Sequence, residues 1–193
     1  MVIKERKLVV IINGIGGVGK DTLIGLTNYV YNVCNVSSID PIKKAAEFLG
    51  YQGDKSLKSR KMLSAMKDII VEYNDYPTKY LIKKYEEFLF STHDIMFVHI
   101  REPEEIEKFK KFVVTDCITI LVQGSGDATE YGNPADDNVD LTKSDYTFFY
   151  DKNDPNSEVK FISIVGSAFE RLKPIDPFTV VIPKYEEVIG VNS

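Results

Sequence analysis

The stretch "KLVVIINGIGGVGKDTLIGL", Lys7 to Leu26, constrains the fold of this chain more than any other. A continuous apolar run rich in β-branched residues leads into Gly14, Gly16, Gly17 and Gly19. Beyond them Leu23, Leu26 and Val30 recur at helical spacing. A strand this apolar is buried on both faces, as in a parallel sheet. Glycines between such a strand and a helix let successive backbone N–H groups turn toward an anion, and the helix dipole adds to their pull. Gly14, Gly19 and Lys20 satisfy the spacing G-x-x-x-x-G-K of a phosphate-binding loop, in which the lysine neutralises the outer phosphates. The next residue departs from the pattern. Asp21 stands where a Ser or Thr hydroxyl is expected, and Thr22 comes one position late.

The rest of the chain alternates strands with helices. "NVSSID", "DIMFVHI", "CITILVQ" and "DYTFFY" read as four further strands. Helices are expected from Asp21 to about Asn32, over "PIKKAAEFLG" and from Ser56 to about Asn74. Others are expected from Thr78 to Ser91, over "PEEIEKFKKF" and over "NSEVKFISIVGSAFERL", the last with an Asn or Ser cap. In the long third helix Met62, Met66, Ile69, Ile70 and Tyr73 recur on one face. Pro77 breaks it from the next. "GSGDATEYGNPADDNVDLTKS" is a loop, and the tail around "FTVVI" is an edge strand or a packed arm. Alternation of this kind gives a parallel sheet covered on both faces, with ligands at the carboxyl ends of the strands. Residues 13–22, 40–43, 99–102 and 123–145 then share one rim.

Composition excludes several classes. A length of 193 residues suits one domain with a full core. A net charge of −5 argues against a nucleic-acid or anionic-membrane surface as the main partner. Cys34 and Cys117 each lie beside an apolar run and read as two buried thiols. With two histidines far apart, the sequence holds no metal-ligand cluster. The first residues lack the long apolar run of a signal peptide or a membrane span, so a cytoplasmic protein is expected.

"GKDT" resembles the loop of phage-type deoxynucleoside monophosphate kinases, whose sister branch, the animal phosphomevalonate kinases, also carries Asp after the loop lysine. The resemblance runs from about Leu8 to Leu172. "SSIDPIKKAAEFLG" is similar to the segment after the second strand, where a lysine, here Lys43, faces the acceptor phosphate. "KSLKSRKMLSAMKDIIVEYND" is similar to the helical acceptor region, with Arg60 and Lys67 as its basic positions. "FVHIREPEEIEKFK" looks like the third strand with its arginine and acidic residues. "DDNVDLTKSDYTFFYDKND" resembles the end of the lid and the fifth strand, with Asn153 in the place of an asparagine near the adenine. The resemblance implies a P-loop NTPase fold of the nucleoside monophosphate kinase kind: one α/β domain over residues 1–193, its five-stranded parallel sheet carrying helices on both faces. It also implies an acceptor-binding helical region at about 40–92 and a lid at about 123–145. The implied activity is ATP-dependent phosphorylation of a small-molecule phosphate monoester. A (deoxy)nucleoside monophosphate is the first expectation and a phosphomevalonate-like metabolite the nearer alternative. A non-catalytic nucleotide-binding module is the alternative from another class. The oligomeric state stays open, a homodimer included.

Phosphoryl transfer needs alignment and positive charge rather than covalent chemistry. ATP is expected on Gly14, Gly16, Gly17, Val18, Gly19, Lys20, Asp21 and Thr22, with Asn153 beside the base. Mg2+ is expected on Asp21 and Thr22, since carboxylates are its usual protein ligands; a plain helix-start role for Asp21 is compatible with this. Arg101, on the rim after a buried strand, suits a bidentate fork onto an acceptor phosphate, the alternative being an ion pair with Glu104 or Glu105. Asp40 either orients an acceptor hydroxyl, holds Mg2+ through water, or caps the helix begun by Pro41. Lys20, Arg101 and Asp40 are thus the catalytic candidates, and Lys43, Arg60 and Arg101 the acceptor-binding ones. Two departures from the resemblance stand out. His99 occupies a place where an acidic residue is usual, and reads as a core histidine or a weak hydrogen bonder. The lid, from Gln123 to Thr142, contains Asp127, Glu130, Asp136, Asp137 and Asp140 but no lysine or arginine.

Overall fold

The computed structural model describes residues 6–124, 143–175 and 180–190. Five strands form one sheet: β1 (Leu8–Asn13), β2 (Val33–Ser37), β3 (Ile95–His99), β4 (Asp116–Gly124) and β5 (Tyr146–Tyr150). All neighbouring strands are parallel, in the order β2-β3-β1-β4-β5. The helices are α1 (Lys20–Thr27), α2 (Asp40–Phe48), α3 (Leu57–Asn74), α4 (Tyr76–Leu89), α5 (Pro103–Lys110), α6 (Ser157–Glu170) and α7 (Tyr185–Ile189). The chain is an α/β P-loop NTPase fold with helices on both faces of its sheet.

The continuous apolar run of β1 is explained by its central place. Leu8, Val10 and Ile12 face one core with Leu23 and Ile24 of α1 and Phe161 and Val165 of α6. Val9 and Ile11 face the other, with Leu81, Tyr85 and Phe88 of α4 and Ile106 and Phe109 of α5. None of these five β1 residues is more than 1% exposed, each worth roughly 1.5–3 kcal/mol of transfer free energy. The connection from the carboxyl end of β1 runs through α1 to β2 on one side of the sheet, and that from the adjacent β3 runs through α5 to β4 on the other. A crevice opens there, at Asn13 and the glycines that follow.

Several local expectations shift. α1 ends at Thr27 rather than Asn32, where Thr27 Oγ1 donates to the Leu23 carbonyl and the chain turns toward β2. Ser56 caps α3 by accepting from the Ser59 N–H at 3.2 Å. Asn156 precedes α6 but its side chain makes no capping bond. Asp75, at φ 51, ends α3 and begins α4, and the Thr78 hydroxyl donates to its carboxylate at 2.7 Å. α3 turns a different face inward than its apolar stripe suggests. Leu63, Met66 and Ile70 pack with α2, whereas Met62, Ile69 and Tyr73 are exposed, Tyr73 to 80%. The apolar cluster that α3 joins, around Ile42 and Ala46, is small, so the helix has more apolar residues than that cluster takes up.

Cys34 and Cys117 are free thiols, half-buried rather than fully so. They share one row across the sheet, through Met96 and Val9. Three strand spacings, roughly 14 Å, separate them, far beyond disulfide reach. The described part of the tail at residues 180–190 is a packed arm rather than a strand. Residues 176–179 lie outside the described residues, but Val180, Ile182, Tyr185, Val188 and Ile189 pack against the α4–α5 core. Tyr185 stacks on Phe112 at 5.9 Å and donates to Asp75 Oδ2 at 2.6 Å. Lys7 is fully buried at the amino end of the sheet, its ammonium donating to the carbonyls of Phe88, Ser91 and His93. It thereby closes the carboxyl end of α4.

Candidate functional site

The loop after β1 is built from the strand outward. Asn13 is buried to 1% exposure, so its amide must find partners within the protein. Its Oδ1 accepts from the Gly14 N–H at 2.7 Å, and its Nδ2 donates to the Arg101 carbonyl at 3.2 Å. One side chain thus links the start of the loop to the turn that carries Arg101. Val18 turns its side chain down into the core, touching the positions of Gly14 and Gly124, so only its backbone faces the crevice. Gly19 occupies the N-cap of α1 at φ 104, and a Cβ there would run into the Tyr150 ring. A left-handed backbone and a ring at this distance leave room for glycine alone. Tyr150 OH in turn donates to Glu158 Oε1 at 3.2 Å, joining β5 to α6 beside the loop.

Lys20 opens α1 and folds back over the loop. Its Nζ donates to the carbonyls of Gly14 and Ile15, which holds the charge at the mouth of the crevice. Two guanidinium groups arrive from elsewhere. A Cβ placed on Gly16 would lie 2.9 Å from Arg60 Nη1 and 3.6 Å from Arg101 Nη2. Arg60 comes from α3, its Nε donating to the Lys55 carbonyl at 3.1 Å, and Arg101 from the turn between β3 and α5. The tip of the loop therefore carries three cationic side chains from three segments.

His99 ends β3 beneath this cluster. Its Nε2 lies 3.7 Å from Asp21 Oδ1, beyond hydrogen-bond range, and is buried without a hydrogen-bond partner among the described residues. Burial pushes its pKa down to about 4, and Lys20, Lys43 and Arg101 push the same way, while Asp21 pulls it up. The ring is neutral at pH 7, and Lys43 lies within electrostatic range of it. Asp21 projects outward, 84% exposed, and Thr22 beside it is also exposed. Asp40 bonds backward rather than into its helix. Its Oδ2 accepts from the Ser37 N–H at 2.8 Å, which closes the β2–α2 turn, while the N-cap of α2 is Ile39. Asn153 is exposed in the β5–α6 turn, its N–H donating to Asp151 Oδ1 at 2.9 Å.

Lys67 is not part of the cluster. It pairs with Glu105 at 2.7 Å in the α3–α5 contact, which also takes up one of the carboxylates considered for Arg101. The lid, expected at about 123–145, lies outside the described residues except for residues 123, 124 and 143–145. Sequence reading missed three participants: Asn13, Tyr150 and the nearness of His99 to Asp21. Only Asn13 left a signal, as the one polar residue closing an apolar strand.

No group of three or more His, Cys, Asp or Glu side chains that could hold a metal occurs among the described residues. A divalent ion here would take one carboxylate and complete its shell with phosphate oxygens and water. That donor set fits Mg2+, which usually retains waters and binds few carboxylates. Among the described residues no helix is long and apolar enough to cross a membrane.

No protein-family model and no curated protein sequence matches the chain. Solved structures do. Dephospho-CoA kinase from Campylobacter jejuni is similar with a TM-score of 0.53 at 9% identity, over 84% of this chain and 97% of its own. A protein from Chloroflexus aurantiacus J-10-fl, described provisionally as a kinase, is similar with a TM-score of 0.53 at 14% identity, over 86% of this chain and 97% of its own. At these identities the likeness is one of architecture. The five parallel strands in the order β2-β3-β1-β4-β5, with a glycine loop at the carboxyl end of the central strand, are the fold of the P-loop kinases.

Proposed function

We propose that this chain phosphorylates a small phosphate monoester with ATP, most directly a (deoxy)nucleoside monophosphate. The observation that carries the reading is the meeting of Arg60 and Arg101 over Gly16, beside Lys20. Binding nucleotide alone needs the loop and one lysine. Two further guanidinium groups at the loop tip suit a second phosphate brought in line with the first.

In this reading the loop N–H groups and α1 hold the inner phosphates, and Lys20 leaves the loop carbonyls to meet the outer ones. Arg101 grips the acceptor phosphate, and Arg60 stabilises the charge on the transferring group. Lys43 adds field from the acceptor side. Asp40 acts at a distance, by fixing the turn that presents Lys43. Magnesium, when bound with the nucleotide, would be held by Asp21 and Thr22 and would neutralise phosphate charge. Asn153 and the β5–α6 turn border the adenine.

The absence of lysine and arginine from Gln123 to Thr142 favours a second reading, a nucleotide-binding module without transfer. An acidic lid adds no positive charge to the transition state, so in the transfer reading Arg60 and Arg101 stand in for lid arginines and turnover is slow. ADP release in the presence of ATP, Mg2+ and a panel of monophosphates separates the readings. Release that depends on a nucleoside monophosphate supports the first, and release with isoprenoid monophosphates alone moves the acceptor class. Tight ATP binding with no release under any monophosphate favours the module.

A further inference from the structure

We infer that His99 and Asp21 form a mixed imidazole–carboxylate pair that takes the metal of the bound nucleotide, selecting Mn2+ or Co2+ over Mg2+. The inference rests on the nucleotide reading above. His99 Nε2 and Asp21 Oδ1 are 3.7 Å apart, and no hydrogen bond to a described residue occupies the ring nitrogen. A buried polar atom left in this way costs free energy unless something else meets it. Asp21 would serve as hydrogen-bond acceptor if it came closer, but its exposed side chain stands off at 3.7 Å.

Two donors on one octahedral ion, each at about 2.1 Å, stand about 3.0 Å apart. A small rotation about the exposed Asp21 side chain covers the difference, while β3 holds His99 in place. The surrounding charges decide when a metal enters. Lys20, Lys43 and Arg101 all act on His99, so a bare cation is repelled and the ion arrives on phosphate. Mg2+ prefers an all-oxygen shell, whereas imidazole raises affinity progressively from manganese to the later first-row metals. The histidine thus changes which ion the site prefers.

The chain has only two histidines. The other, His93, precedes β3 at the opposite end of the sheet and has its Nδ1 3.1 Å from Ser91 Oγ. A nitrogen signal on bound metal is therefore assignable. The experiment is pulsed electron paramagnetic resonance of Mn2+–ADP on the full chain, wild type against His99→Gln and His93→Gln. Calorimetric titration of Mg2+–ADP, Mn2+–ADP and Co2+–ADP runs alongside. The expected result is directly coordinated 14N coupling in wild type and His93→Gln, lost in His99→Gln. Co2+–ADP should bind wild type roughly tenfold tighter than Mg2+–ADP, and Asp21→Asn should weaken every metal complex. Tight ADP binding without nitrogen coupling overturns the metal pair and leaves the nucleotide reading intact. Coupling that survives His99→Gln also overturns it. Failure of wild type to bind ADP, with or without metal, removes the nucleotide reading itself.

Discussion

Lys67 Nζ lies 2.7 Å from Glu105 Oε2, with the two side chains only 11% and 12% exposed. The pair joins α3, which carries Arg60, to α5, which follows directly on Arg101. Desolvation raises the Glu105 pKa even though Lys67 pulls it down, so this carboxylate depends on its partner. Lys67→Met should cost roughly 3–5 kcal/mol by leaving a buried charge uncompensated, and Lys67→Met with Glu105→Leu should recover most of that. Denaturant titration of the two variants is the check. A single variant as stable as wild type would show the pair to be incidental.

Lys20→Ala should weaken ATP binding by roughly tenfold to a hundredfold, the worth of one charge-assisted contact. Its side chain bonds to loop carbonyls, outside the core, so thermal stability should move little. Titration with ATP and Mg2+ measures the first quantity and a melting curve the second.

Arg101→Ala and Arg60→Ala should each lower acceptor-dependent ADP formation by about a hundredfold or more. ATP affinity should stay within about threefold, because both groups sit beyond the loop that grips it. Single-turnover assays with separate binding titrations divide the two effects. Equal losses in both would move the arginines from transfer to nucleotide binding.

Burial pushes the Cys34 thiol up to about 11 and the Cys117 thiol up to about 12, from an ordinary 9.0. A raised acid holds its proton more firmly in the folded state. Its contribution to stability is full below pH 9 and fades as pH rises through the folded values. Urea midpoints at pH 8 and pH 10.5 should therefore fall more for wild type than for Cys34→Ala with Cys117→Ala. Buried tyrosines add to the alkaline loss in both proteins alike. Identical slopes would mean the thiols titrate as they do in the unfolded chain.

The sheet was legible because each strand announces itself by an apolar run, and β1 by one with no polar interruption. The loop was legible because glycine and lysine at fixed spacing have few other uses. Arg101 could be placed from its position after β3 alone. Arg60 could be assigned only by resemblance, since α3 exposes Met62, Ile69 and Tyr73 and gives no clean inward face. Lys67 was a basic position of the acceptor region by resemblance alone, since sequence shows charge but not the carboxylate that answers it. Lys7 gives no sign of its role in the sequence, because its three carbonyl partners lie some eighty residues away or more. Asp40 bonds to the residue three before it, a local choice between turn and cap that neighbouring residues do not decide.

β1 precedes the other four strands of the sheet in the chain, yet it has neighbours on both sides only once β4 is made. Leu8 must wait for Ile95 on one side and Asp116 on the other. Until β4 has left the ribosome, the most apolar segment of the chain has unpaired backbone along the edge that β4 will cover. The glycine loop has no fixed shape in that interval, because the Val122 carbonyl and the Tyr150 ring that bound it lie still further along the chain. Truncated chains ending before β5 should consequently be prone to aggregate, and acquisition of the loop's native form marks the completion of folding rather than its beginning.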